Sequence, residues 1–168
     1  LSHIAPQELM YKKFYWYRSG VTKTMRDGLR DIYNSSLKYV KLNKNDVVLD
    51  IGANDGTLLS YYSKITTTIG CEPAKNLTKK LKKNCDYVLN DFWSYNKLKN
   101  ILNRKKLNKP KIITAIGMFY DLEDPNKFIK DSALALDEKG IFIAQLMCFK
   151  SMIQKNDLGN ICHEHIEF

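Results

Sequence analysis

Cysteine is sparse in this chain, and its spacing does not suit metal or disulfide chemistry. Cys71, Cys85, Cys148 and Cys162 stand far apart, with no CxxC pair among them. This excludes a zinc ribbon or a disulfide framework and fits a reducing, cytoplasmic compartment. Long apolar runs are also missing. Nothing approaches the roughly 18 uninterrupted apolar residues of a membrane span, so a soluble protein without a membrane partner is expected. The opening LSHIAPQELMYKK has no basic stretch leading into an apolar core, so it does not read as an export signal. There are no internal repeats and no low-complexity linker. Histidine is scarce: of three in the chain, His163 and His165 flank Glu164 in ICHEHIEF, residues 161–168.

The rest of the composition is that of a globular domain, with 44% hydrophobic and 27% charged residues in a chain of 168, enough for one full core. The formal net charge of +9 raises the question of an anionic partner. Its densest stretches, KKLKKN (79–84) and RKKLNKPK (104–111), have no aromatic residues interleaved with them, as a single-strand binder would want. They read as solvated helix faces, and no nucleic-acid partner is expected. The aromatic residues cluster elsewhere, in YKKFYWYRSG (11–20).

Periodicity predicts the architecture. Met25, Leu29, Ile32, Tyr33, Leu37 and Val40 recur at steps of three and four, one face of an amphipathic helix that Thr22 or Thr24 could cap. Five short apolar runs follow: DVVLDIGA (46–53), TTTIGCEP (66–73), DYVLNDF (86–92), KIITAIGMF (111–119) and GIFIAQLM (140–147). Helical stretches alternate with them, which predicts an α/β fold with a parallel sheet covered on both faces. Residues 1–45 are read as an aromatic and helical segment packing on a cofactor domain at 46–147, with 148–168 carrying the HEH run.

The candidate cofactor site begins at DIGANDG, where the first strand turns into the first helix. Gly52 and Gly56, beside Ala53 and Asn54, allow a tight turn and a close ligand approach. In open parallel sheets such a turn lies at the ligand-binding edge. The pattern is neither GxGxxG nor a GK[ST] phosphate loop. With Asp50 and Asp55 around it, a pyrophosphate would be poorly served and a sulfonium with an amino-acid tail well served. Glu72 ends the second strand, 22 residues after Asp50 and next to Pro73, where a carboxylate can take both ribose hydroxyls. Asp91 ends the third strand beside Phe92, within reach of an adenine amino group, and Met118 ends the fourth. The plain alternative is that Asp50 and Glu72 cap helices or pair with lysines.

With these features in place, residues 46–147 resemble the class I S-adenosylmethionine-dependent methyltransferases, which implies S-adenosylmethionine as cofactor and a Rossmann-like sheet. SGVTKTMRDGL (19–29), MFYDLEDPNKF (118–128) and ICHEHIEF (161–168) are similar to the sugar C-methyltransferase branch, whose members methylate a carbon of nucleotide-linked keto-sugars. The resemblance implies that Glu164 and His165, with His163 beside them, take the proton from the carbon to be methylated. A ketone makes that carbon acidic, and an imidazole suits the base role at neutral pH. Some relatives carry a tyrosine where Cys162 stands; Tyr17 or Tyr120 is expected to supply that contact here. The resemblance also implies an N-terminal zinc module, a C-terminal domain and two further strands, so the chain is expected to be a fragment.

Rival readings of HEH are a metal site at Cys162, His163 and His165, or packing histidines. Three ligands within four residues are too cramped for tetrahedral zinc, and no metal is expected. Rival functions are an O- or N-methyltransferase of a small metabolite or glycan, and a non-catalytic cofactor-binding module. Base methylation is disfavoured because GMFYDLED stands where an Asn/Asp-Pro-Pro-aromatic run would be.

Overall fold

A computed structural model describes residues 6–156. Five parallel strands form one sheet in the order β3-β2-β1-β4-β5: β1 Val47–Ile51, β2 Thr67–Cys71, β3 Tyr87–Leu89, β4 Pro110–Ile116 and β5 Ile141–Gln145. The helices are α1 Lys23–Tyr39, α2 Thr57–Tyr62, α3 Thr78–Asn84, α4 Tyr95–Lys105, α5 Pro125–Ala135 and α6 Phe149–Gln154. Strand order reverses between β1 and β4, so a crevice opens beyond their carboxyl ends.

The sheet alternation sorts the core into two layers. Val47, Leu49 and Ile51 of β1 pack with Leu98, Ile101 and Leu102 of α4 and with Phe128 and Ala135 of α5. Val48 points the other way, toward Leu29, Leu58, Leu59, Tyr62 and Leu81 of α1, α2 and α3. All five β1 residues are buried, as expected of a central parallel strand. The predicted amphipathic helix is α1. Of its two candidate caps, Thr22 is the one used: its hydroxyl accepts the Met25 N–H at 3.3 Å.

Every predicted strand is present and begins within one residue of the expected start; the fourth begins one residue early, at Pro110, and the others one residue late. Each ends two or three residues early. The overruns are Gly52 and Ala53, Glu72 and Pro73, Asn90 to Phe92, Gly117 to Phe119, and Leu146 and Met147. These residues leave the ladder, and Gly52, Ala53, Glu72, Pro73, Phe92, Gly117 and Met118 among them line the crevice. The fifth strand also departs from the expected burial on both faces. It is an edge of the described sheet, with Phe142 37% exposed.

One buried polar link ties α1 to α2. The Ser36 hydroxyl donates to the Tyr33 carbonyl at 2.7 Å, so the Tyr62 hydroxyl, 2.7 Å away, is the donor to Ser36. Tyr62 is fully buried. Tyr62→Phe removes one buried hydrogen bond at nearly constant volume and should cost about 1 kcal/mol in urea unfolding. A neutral substitution would mean that the hydroxyl contributes nothing to the α1–α2 contact.

Candidate active site

Beyond β1 and β4 lies a cavity of about 550 Å³. Its floor is the turn at residues 50–54, and its sides are Cys71 to Pro73, Phe92 and Trp93, and Ile116 to Met118. Tyr11, Tyr15, Tyr17 and Ser19 of the N-terminal segment form another wall. The segment between Met118 and Asp131 completes it.

The turn is rigid because its amides are all used. Gly52 N and Ala53 N donate to the Cys71 carbonyl at 2.9 and 3.0 Å. Asn54 N donates to Glu72 Oε2 at 2.9 Å, Asp55 N to Asn54 Oδ1 at 2.8 Å, and Gly56 N to the Ala53 carbonyl at 2.9 Å. An amide nest for pyrophosphate needs N–H groups without acceptors, and this turn keeps none. Gly52, at φ 74°, lies so close to Met118 that a Cβ would meet Met118 Cγ at 2.9 Å. Gly56, at φ 78°, has a different role from the expected one. It does not line the cavity; a Cβ there would strike Asn84 Cβ at 2.8 Å and Leu81 Cδ1 at 2.9 Å, so its smallness serves the packing of α2 on α3.

Both key acids are buried. Glu72 uses one oxygen on the Asn54 amide and the other on the Ala74 amide at 2.8 Å. Each oxygen keeps a further acceptor site. Burial pushes the Glu72 carboxyl up, against those two amides. Burial also pushes Asp50 up, to about 7, opposed by the Thr114 hydroxyl at 2.6 Å and reinforced by the Glu72 charge.

Of the other sequence candidates, Ala53, Asn54, Pro73, Phe92, Met118, Tyr17 and Tyr120 all line this cavity. Asp91 does not. Its carboxylate pairs with Lys97 at 2.7 Å, which holds it below the usual carboxylate range. Asp55 is likewise engaged elsewhere, by the Thr57 hydroxyl at 2.6 Å and the Gly20 amide at 3.0 Å. Together with Asn54, it clasps the N-terminal segment over the turn. Asn54 accepts from Ser19 N and donates to the Tyr17 carbonyl, both at 3.0 Å. His163, Glu164 and His165 lie outside the described residues, as does Cys162.

Sequence reasoning missed Trp93, whose indole Nε1 is buried in the cavity region without an acceptor. It also missed the acidity of the wall. Glu123, Asp124 and Asp131 join Asp50 and Glu72, against Lys127 as the one lining cation, itself paired with Asp131 at 2.9 Å. Glu123 and Asp124 stand in the loop before α5, where helical periodicity carries no information.

A profile of the methyltransferase domain matches residues 21–168. The chain belongs to the methyltransferase domain family. Its cofactor is S-adenosylmethionine, and an acid-lined cavity without free amides fits a sulfonium better than a dinucleotide. Solved structures share the fold at low identity. The plantazolicin methyltransferase BpumL, in complex with a desmethyl analogue and S-adenosylhomocysteine, is 16% identical, with TM-score 0.57 over 85% of this chain and 54% of its own. A Geobacter sulfurreducens methyltransferase in complex with S-adenosylhomocysteine gives 16%, TM-score 0.52, 77% and 50%. A precorrin 8w decarboxylase from Methanobacterium thermoautotrophicum gives 13%, TM-score 0.53, 79% and 71%. The chain thus spans about half the length of the first two. A comparison with curated proteins finds no match. No described helix is long and apolar enough to cross a membrane.

Asp50 sets a pH dependence for this methyltransferase domain. Unfolded, it releases its proton near about pH 4; folded, it holds it to about 7. Its contribution to stability is therefore full below the lower value and is lost as pH rises through the upper one. A cationic ligand reverses the preference by favouring the ionised form. Calorimetric titration with S-adenosylmethionine should show about tenfold tighter binding at pH 8 than at pH 6, with proton release. Asp50→Asn should flatten that profile. A wild-type affinity indifferent to pH would show that Asp50 does not change ionisation on binding.

Proposed function

We propose that this methyltransferase transfers a methyl group to a carbon of a nucleotide-linked keto-deoxysugar. The observation that carries the reading is a convergence. Ser19, Met25 and Leu29 from one family-like stretch (19–29), and Met118, Tyr120 and Lys127 from another (118–128), line the same cavity as the cofactor turn. They are 89 or more residues apart in sequence between the two stretches, from Leu29 to Met118. A third such stretch, ICHEHIEF, contributes the base.

In this reading Asp50, Gly52, Ala53 and Asn54 hold the amino-acid end of the cofactor, and Glu72 takes the ribose with its remaining acceptor sites. Pro73, Phe92 and Met118 supply apolar surface around the adenosine. Asp91, turned toward Lys97, would have to exchange that partner to reach an adenine amino group. The bound cofactor supplies an electrophilic methyl. His165 removes the proton from the carbon beside the ketone, Glu164 orients the ring and stabilises its charge, and His163 completes the run. Tyr17 and Tyr120 line the acceptor side. The Tyr17 phenol is raised by burial and by the Asp55 charge, so it stays protonated as a donor. The enzyme contributes positioning and the base, and the acid-lined cavity favours the cationic cofactor.

Two measurements test the reading. Glu72→Ala should weaken S-adenosylhomocysteine binding about tenfold by calorimetry, the loss of a charge-assisted contact. An unchanged affinity removes Glu72 from the site. In deuterated buffer without cofactor, the intact enzyme should wash the proton out of the carbon beside the ketone of a nucleotide-linked keto-deoxysugar. His165→Ala should abolish the exchange while leaving S-adenosylhomocysteine binding intact. Full exchange in that variant would sink the assignment of the base.

A further inference from the structure

Beside the cofactor cavity is a second concavity of about 520 Å³ with opposite chemistry. Phe14 and Trp16 stand over one end of it, their rings in edge contact with centroids 4.5 Å apart. Trp16 is 86% exposed and Phe14 51%, a large apolar surface left to solvent. Arg18, Lys79, Lys80 and Lys83 line it together with Tyr15, Asn76 and Leu77, and no carboxylate does. None of these four cations takes part in an ion pair among the described residues.

The groove is a built feature. Asn76 pins the aromatic segment to the start of α3 through two reciprocal bonds, accepting from Tyr15 N and donating to the Tyr15 carbonyl, both at 3.0 Å. The carbonyl of Lys12 accepts from Lys75 N at 3.3 Å, one step along. Residues 61 apart in sequence are thereby held side by side. Aromatic surface and a row of cations, separate in the sequence, become one surface.

We propose that this groove binds a nucleoside diphosphate, with the base on Trp16 and Phe14 and the phosphates on Arg18, Lys79, Lys80 and Lys83. This rests on the reading of the substrate as nucleotide-linked, and it places the carrier half of that substrate. An exposed aromatic pair offers a stacking face to any base, and lysines meet phosphate as point charges. The diphosphate cannot share the cofactor cavity, where carboxylates outnumber the one lysine. Tyr15 belongs to the walls of both sites. A substrate anchored in the groove would therefore reach the cofactor cavity past a single residue. A single-stranded nucleic acid offers the same groups, but it would want the basic and aromatic surface to continue as a track. Here it gives way at Tyr15 to an acidic cavity.

The test is calorimetric titration of the chain with UDP and with GDP, with uridine, inorganic pyrophosphate and a single-stranded oligonucleotide as comparison probes. Either nucleoside diphosphate should bind at one site, and uridine and pyrophosphate should each bind at least about tenfold more weakly. Trp16→Ala, and Lys79→Ala combined with Lys83→Ala, should each weaken binding about tenfold and leave S-adenosylhomocysteine affinity unchanged. All three positions are exposed, and circular dichroism verifies that the variants fold. The proposal fails if neither diphosphate binds or if binding ignores these substitutions. Equal affinity for pyrophosphate would reduce the groove to an anion site and overturn the role of the aromatic pair. Tighter binding of the oligonucleotide would make it a nucleic-acid surface. The deuterium exchange assay scores the methyl-transfer reading separately, so the two can fail independently.

Discussion

The carboxylate of Glu72 accepts an amide from the turn after β1 through one oxygen and an amide from the turn after β2 through the other, and the rest of the site is arranged around that bridge. Without it, two adjacent strand ends would carry unsatisfied N–H groups at the mouth of a cavity, each costing about 1–3 kcal/mol when buried. With it, the turn at 50–56 becomes a fixed surface, and Asn54, at φ 52°, is held where its side chain can grip the N-terminal segment. Burial makes ionised Glu72 costly, and the two amides oppose that cost without cancelling it. The carboxylate that organises the turns is thus also the one that presents acceptor sites to the cavity.

Charge is partitioned in this protein. The chain carries a formal +9, yet the cofactor cavity is walled by Asp50, Glu72, Glu123, Asp124 and Asp131, with Lys127 against them. The cations are displaced to helix faces and to the groove beneath Trp16. Under the proposed reading, a cationic cofactor and an anionic carrier group meet neighbouring but opposite environments, with Tyr15 lining both. The N-terminal segment makes this possible, because it is clasped at one end by Asn76 and at the other by Asn54 and Asp55.

Much of the fold was legible in the sequence because parallel strands buried on both faces read as apolar runs and α1 carries a clear stripe. The strand ends were not, because Glu72-Pro73, Phe92 and Gly117-Met118 look like continuing strand until the ladder stops. Those misread residues line the cavity, and they keep apolar texture for a ligand rather than for the sheet. Of the residues singled out in the sequence, Asp50, Gly52 and Glu72 line the cavity, whereas Gly56 packs against α3, Asp55 holds Thr57 and Gly20, and Asp91 pairs with Lys97. A spacing pattern cannot tell whether a side chain faces a cavity, a neighbouring helix or a lysine. The HEH run was conspicuous in the sequence and lies outside the described residues.

The sequence by itself determined the α/β class, the parallel strands, a glycine turn that is neither GxGxxG nor a phosphate loop, and the acid placed one strand later, because these follow from local periodicity and motif spacing. Only the tertiary structure decided which carboxylates face the cavity, which glycine is small for packing, and that YKKFYWYRSG and KKLKKN form one surface. The aromatic and basic stretches are not interleaved in the chain, so sequence reading gave them no joint role. Asn76 brings them together by two hydrogen bonds across 61 residues. Contacts of that range depend on how the whole sheet and its helices pack, and no local pattern encodes them.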